Sequence, residues 1–276
     1  MKILLSILFI SLAVSLLFTG CIEVKTLVKV NNDGTGTIEE TVIMSKEIIE
    51  MINEFTTAFA SDSVNTEKFE LFDEEKLRNQ ASNFGEGVTY LSGNKIAEDG
   101  REGFTSLYSF NNINKIQIDQ NPGRKIPLLE EEGGTTDSEF LGFTFNEGNP
   151  SELTIHMPEM ETDNEEEELD DSVEVIPQDS LSKNQEFEEA KRFLKDLRIT
   201  LAINVEGNIV ETNAQNVNGS EVTLFQIDFN ELLDSEDKWN MFMEKDPQTF
   251  EEVKEIIKDL PGIKVELNDP VFIKFN

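Results

Sequence analysis

The stretch IEVKTLVKVNNDGTGTIEETVIM, Ile22 to Met44, decides how this chain begins to fold. Ile22, Val24, Thr26, Val28 and Val30 fall on one side of an extended chain, and Glu23, Lys25 and Lys29 on the other. A two-residue period of this kind marks a half-buried strand. Asn31-Asn32-Asp33-Gly34-Thr35-Gly36 supplies turn residues able to take positive φ, and Ile38, Glu40, Val42 and Met44 then resume the period. The stretch predicts a β-hairpin.

Working outward toward the C-terminus, Ser45 is placed to cap a helix in which Ile48, Ile52, Phe55 and Phe59 form a stripe that packs on a sheet. A second helix is expected within Asp62 to Phe84, with Phe69, Phe72, Leu77 and Ala81 as core positions. Gly87 to Leu91 and Phe104 to Phe110 read as strands separated by turn formers. Phe140 to Phe145 and Leu153 to Met157 read as a hairpin around Glu147-Gly148-Asn149-Pro150. From Glu159 to Asp171 nine of thirteen residues are acidic. A segment so poor in apolar surface cannot offset its ordering entropy, so residues 159–183 are expected to be a disordered insertion.

Structure is predicted to return with a helix over Asn184 to Lys195 and with Leu197, Ile199, Leu201, Ile203 and Val205 in strict alternation. Further strands are expected at Ile209 to Asn213, Val222 to Phe229, Ile263 to Leu267 and Val271 to Phe275, and helices around Ser235 to Glu244 and Pro247 to Leu260. Hairpins interrupted by helices, without regular βαβ alternation, predict an α+β fold: a mainly antiparallel sheet with helices packed on one side. Residues 21–158 and 184–276 would form a single domain.

Toward the N-terminus the pattern is different. Lys2 precedes an apolar run from Ile3 to Phe18, shorter than the roughly 20 residues a membrane-spanning helix needs, and the run closes with Thr19-Gly20 before Cys21. This is a signal-peptide layout over residues 1–20. Leu17-Phe18-Thr19-Gly20-Cys21 resembles the lipobox of bacterial lipoproteins, with Phe18 where that motif usually has Leu. The resemblance implies cleavage between Gly20 and Cys21 and a diacylglyceryl lipid on the Cys21 sulfur. Cys21 is the chain's single cysteine, so an intramolecular disulfide is impossible.

The order of a lipobox, a strand running into Asn32-Asp33-Gly34-Thr35-Gly36, a strand and helix, and a late hairpin from Ile199 to Phe229 with Gly207, Asn213 and Gly219 resembles the LppM-like domain of bacterial surface lipoproteins. Glu206-Gly207 and Phe225 stand where that pattern has a Pro-Gly turn and a Trp. The resemblance implies an envelope-facing α+β module suspected of binding hydrophobic or lipid ligands, with no catalytic residue to transfer.

Composition narrows the partners. With 56 acidic and 23 basic residues the formal charge is −33, a field that repels phosphate backbones and anionic headgroups. Nucleic acid is therefore not an expected partner. Twenty Phe against two Tyr and one Trp give the core an aromatic but nonpolar character. The motifs that carry chemistry are thin. Asn31, Asp33 and Glu40 fall at calcium-loop spacing around Gly34, but Lys29 occupies the first ligand position and strands replace the flanking helices, so a plain turn is expected. His156 is the only histidine and reads as a sheet-surface residue, since zinc catalysis ordinarily needs two or three. Trp239, Phe242 and Met243 read as core packing before they read as a membrane or partner contact.

These readings converge on a noncatalytic, lipid-anchored envelope protein, outside the cytoplasm, with no cofactor and no metal site. The expected ligand is hydrophobic or a lipid. The alternative is a protein-interaction or structural module whose acidic surface meets a basic envelope protein, and a minor alternative is a carboxylate-based hydrolase.

Overall fold

The computed structural model describes residues 22–59, 69–98, 100–120, 122, 140–158, 187–188, 191, 194–243 and 260–276. The expected signal peptide, Cys21 and the acidic insertion lie outside the described residues.

The opening hairpin forms as its periodicity predicts. β1 (Ile22–Val30) and β2 (Gly36–Ser45) pair antiparallel from Ile22–Met44 to Val30–Gly36. In the turn Gly34 has φ 77°, and Asp33 Oδ1 accepts from the Thr35 amide at 3.0 Å and its hydroxyl at 2.7 Å. The Phe145 ring covers Gly34, 2.6 Å from where a Cβ would stand, so a side chain is excluded by space as well as by φ.

Two strands extend this hairpin on one side. β3 (Thr89–Glu98) and β4 (Arg101–Phe110) form a long hairpin, with β4 paired along β2. The strand expected to stop at Leu91 therefore runs on through Ser92-Gly93-Asn94. A bulge between Tyr90 and Ser92 throws Leu91 outward, and pairing to β4 holds turn-forming residues extended. On the other side β1 pairs parallel with β8 (Leu197–Val205), register Ile22–Leu197 to Val30–Val205. β11 (Glu221–Asp228) pairs antiparallel with β8, and β10 (Val217–Asn218) and β12 (Ile263–Val265) pair with β11. The sheet order is β10-β11-β8-β1-β2-β4-β3 with β12 also beside β11.

A second sheet, not anticipated as separate, has the order β5-β6-β7-β13-β9. Its strands are β5 (Ile118–Asp119), β6 (Phe140–Asn146), β7 (Ser151–His156), β9 (Ile209–Thr212) and β13 (Val271–Phe275). It meets the first sheet at the end where β1 turns into β2: Phe145 covers Gly34, and Ser151 Oγ donates to the Asn32 carbonyl at 3.0 Å, while the 3-10 turn Ile113–Lys115 that precedes β5 donates from Ile113 N to the Gly34 carbonyl at 2.9 Å.

The helices are short. α1 (Lys46–Phe59) follows β2, with Ser45 Oγ accepting from Ile48 N at 3.3 Å. α2 (Glu74–Gln80) is capped by Asp73 and continues as a 3-10 turn, Ala81–Phe84. Residues 69–73 are not helical, so among the described residues the helix expected within Asp62 to Phe84 begins at Glu74, where the Asp73 cap sets the start. α3 (Phe229–Leu232) begins directly after β11 because Asp228 turns from strand partner to N-cap, its Oδ1 accepting from Asn230 N. The strand expected to include Phe229 thus ends one residue earlier. α4 (Glu236–Met243) follows.

One hydrophobic cluster joins both sheets with residues of α1 and α2, from Ile22, Val28, Ile38 and Ile52 through Leu77 and Tyr108 to Leu153, Ile203 and Phe275. A satellite cluster gathers Phe187, Leu232, Leu233, Trp239 and Leu260. With antiparallel pairing everywhere except β1–β8, the α+β description with mixed sheets holds.

Candidate functional site

The core face of the large sheet carries a polar row. In register across five strands stand Leu201 on β8, Thr26 on β1, Glu40 on β2, Ser106 on β4 and Gly93 on β3. Thr26, Glu40 and Ser106 are 2%, 1% and 1% exposed, among neighbours such as Val28, Ile38, Val42 and Phe104. The two-residue period that buries Ile38 and Val42 buries Glu40 with them, because alternation assigns a face irrespective of charge. Burying a carboxylate costs free energy unless it is paired or hydrogen-bonded.

Toward β3 the row opens into two tyrosines. Tyr108 and Tyr90 are directly paired, their rings edge-on at 5.7 Å. Tyr108 Oη donates to the Leu77 carbonyl on α2 at 3.0 Å. Burial pushes the Tyr108 phenol up, opposed by the neighbouring Ser106 hydroxyl. Burial and then the Glu74 carboxylate raise Tyr90, while Arg78, whose guanidinium lies 4.9 Å from the ring centre, opposes them. The Tyr90 hydroxyl is buried and has no hydrogen-bond partner among the described residues; it fills the space over Gly93, 2.6 Å from where a Cβ would stand. Phe72 and Leu77 close over the same spot. The arrangement is a small set of hydroxyls and one carboxylate enclosed by apolar and aromatic side chains.

The residues singled out in sequence occupy other places. Gly20 and Cys21 lie outside the described residues, but β1 starts at Ile22, the next residue. His156 is exposed at the end of β7, its Nε2 3.2 Å from Thr144 Oγ1. Asn31 Nδ2 donates to Thr35 Oγ1 at 2.9 Å, and Asp33 faces Thr35 as described, so both side chains serve the turn while Glu40 points into the core. Among the described residues no three His, Cys, Asp or Glu side chains gather to hold a metal ion. Trp239 is buried in the satellite cluster, as packing predicts; the side chains of Phe242 and Met243 lie outside the described residues.

Two acids that sequence reading passed over are buried and fully employed. Asp228 Oδ2 accepts from Arg198 Nε at 2.8 Å and Nη2 at 2.6 Å, and its pairing raises the Arg198 guanidinium. Glu266 is 5% exposed and accepts from Gln215 N at 2.7 Å, Leu267 N at 3.1 Å, Asn268 N at 3.0 Å and Asn268 Nδ2 at 2.9 Å. Both are fixtures of the fold.

The chain is similar to one solved structure, the NMR structure of the folded domain of the LppM protein of Mycobacterium tuberculosis. The similarity covers 75% of this chain and 82% of that one, at 8% sequence identity and a TM-score of 0.27. A superposition this loose settles neither family nor function. No family model matches the chain, and no curated protein matches it. No helix among the described residues is long and apolar enough to cross a membrane.

Proposed function

We propose that the chain is a noncatalytic lipoprotein of the cell envelope, tethered through a lipid on Cys21 with one α+β domain, residues 21–158 and 184–276, outside the cytoplasm. The observation that carries this reading is Leu17-Phe18-Thr19-Gly20-Cys21 at the end of a short apolar run, abutting a strand that begins at Ile22. A strand that begins at Ile22 is compatible with a mature chain beginning at Cys21. Intact mass spectrometry of protein taken from the membranes of its host tests it. A chain starting at diacylglyceryl-modified Cys21 is expected, and an unmodified Cys21 in a retained chain would refute it.

The function we assign to the tethered domain is binding of a hydrophobic or lipid ligand, between helices packed on one side and the core face of the large sheet. Support comes from the enclosed polar row of Thr26, Glu40 and Ser106 beside Tyr90 and Tyr108, polar groups set in an apolar surround. Organic extraction of the purified protein should yield a lipid in stoichiometric amount, reduced in Glu40→Leu. A protein that carries no such molecule, and takes none up from vesicles, would move the reading to a basic protein partner at the acidic surface.

A further inference from the structure

We infer that the tether holds the domain end-on, with one defined end of the large sheet against the bilayer and the second sheet presented away from it. The inference rests on the lipid anchor proposed above. Consecutive Cα atoms are about 3.8 Å apart, so a lipid on Cys21 places Ile22 at the headgroup layer. Ile22 is no loose terminus: it is 7% exposed and paired with Met44 on one side and Leu197 on the other. A tether of ten extended residues would reach roughly 35 Å and let the domain present any surface. This one has a reach of a single residue, fixed to the central strand.

The register states what lies at that end. Level with Ile22 are Met44, Glu102 and Ala97 in one direction and Leu197 in the other. Here β2 passes into α1 at Lys46, β3 turns into β4, and β11 passes into α3 and α4, so the Trp239 cluster is at the same end. The turn at Asn31–Thr35 and Glu147 lie at the opposite end, separated by the nine residues of β1, or roughly 30 Å at the rise of a strand. The second sheet joins the large one there and at Leu224, midway along it.

Charge opposes the alternative of the domain lying flat. At the Ile22 end Lys46 pairs with Glu102 at 3.8 Å, Arg198 with Asp228, and Lys238 with Asp234 at 3.4 Å. Arg101 and Lys195 at the same end have no ion pair among the described residues, and the neighbouring Glu47, Glu98 and Asp196 keep the end from being a basic patch. Laying the sides of a chain of charge −33 on anionic headgroups is repulsive, so the small Ile22 end makes the contact.

The test uses the full lipidated chain in vesicles of equal parts phosphatidylcholine and phosphatidylglycerol. A thiol introduced by Lys46→Cys or Asp237→Cys, both exposed at the Ile22 end, or by Glu147→Cys at the other, carries a fluorophore; Cys21 is blocked by its lipid. A nitroxide on the lipid headgroup should quench the two proximal labels several-fold more than the Glu147→Cys label. Inserting a Gly-Ser segment of about twenty residues, a flexible coil, between Cys21 and Ile22 should abolish the difference. Equal quenching at both ends without the insertion, in protein shown by mass to be lipidated, would overturn the orientation and leave the anchor standing. Unmodified Cys21 would overturn both.

Discussion

Replacing Glu266 by Gln changes one oxygen to an amide nitrogen and tests the junction of the two sheets. Oε2 accepts from Gln215 N, while Oε1 accepts from Leu267 N, Asn268 N and Asn268 Nδ2. Glutamine can keep its oxygen toward only one of these groups. The better placement retains three bonds at Oε1 and turns an NH2 toward the Gln215 amide, leaving that donor without an acceptor. A hydrogen bond to a charged group contributes about 1.5–3 kcal/mol, and here the carboxylate is buried while Gln215 is exposed. At about 2 kcal/mol the melting temperature falls by roughly 4–8 °C for a domain of this size. The loss centres on the place where β9 and β13 of the small sheet meet β11 and β12 of the large one, since Glu266 N donates to the Leu224 carbonyl and Asn268 Nδ2 to the Asn213 carbonyl. Thermal melting followed by circular dichroism, with hydrogen exchange at the Gln215 amide, is the assay. A Gln variant that melts within about 1 °C of the parent, or a Glu266→Ala variant no worse than Gln, would refute the reasoning.

Gly36→Ala should cost about 2 kcal/mol or more in denaturant unfolding, because the new methyl meets the Lys29 carbonyl and the Phe110 ring in a packed strand pair; an unchanged midpoint would contradict this. Tyr90→Phe removes a buried hydroxyl that has no partner among the described residues, and should leave the ligand-free protein as stable or slightly more so. Loss of stability would mean that the hydroxyl is bonded in solution. Asp33 titrates below its ordinary 3.8 because the Thr35 hydroxyl and amide bond its ionised form. Its contribution is therefore present above that value and lost as pH falls through the lower folded pKa. Carboxyl NMR should show Asp33 titrating below 3.8, and Thr35→Ala should bring it back up.

Strands β1, β2 and β8 were legible because each alternates, and alternation fixes a face without reference to the rest of the chain. Partners were not legible. The same pattern in Ile209–Thr212 and Val222–Asp228 assigns one to the small sheet and the other to the large, a choice made by distant contacts such as Thr212 Oγ1 to the Phe272 carbonyl at 2.6 Å. β3 was legible only at its start, within Gly87 to Leu91, because an edge strand held by pairing to β4 needs little apolar periodicity of its own. Glu40 was visible in the two-residue pattern as a member of the apolar face. Asp228 and Glu266 looked like any of 56 acids, since what distinguishes them is an Arg on the neighbouring strand and a loop 51 positions away. The lipobox-like pattern was legible as local chemistry, but that a strand begins at Ile22, the residue after Cys21, emerged only with the structure.

The parallel pairing of β1 with β8 also sets a timetable. β1 finds β2 within a few residues of synthesis, but its other edge stays open until residues 197–205 have emerged, and non-local pairing is the slow step of folding. A chain that cannot close the middle of its sheet until most of its length has appeared remains threadable for that interval. In the exported lipoprotein proposed above, the late arrival of β8 would work as a delay, keeping the chain open during export and completing the sheet once β8 is through.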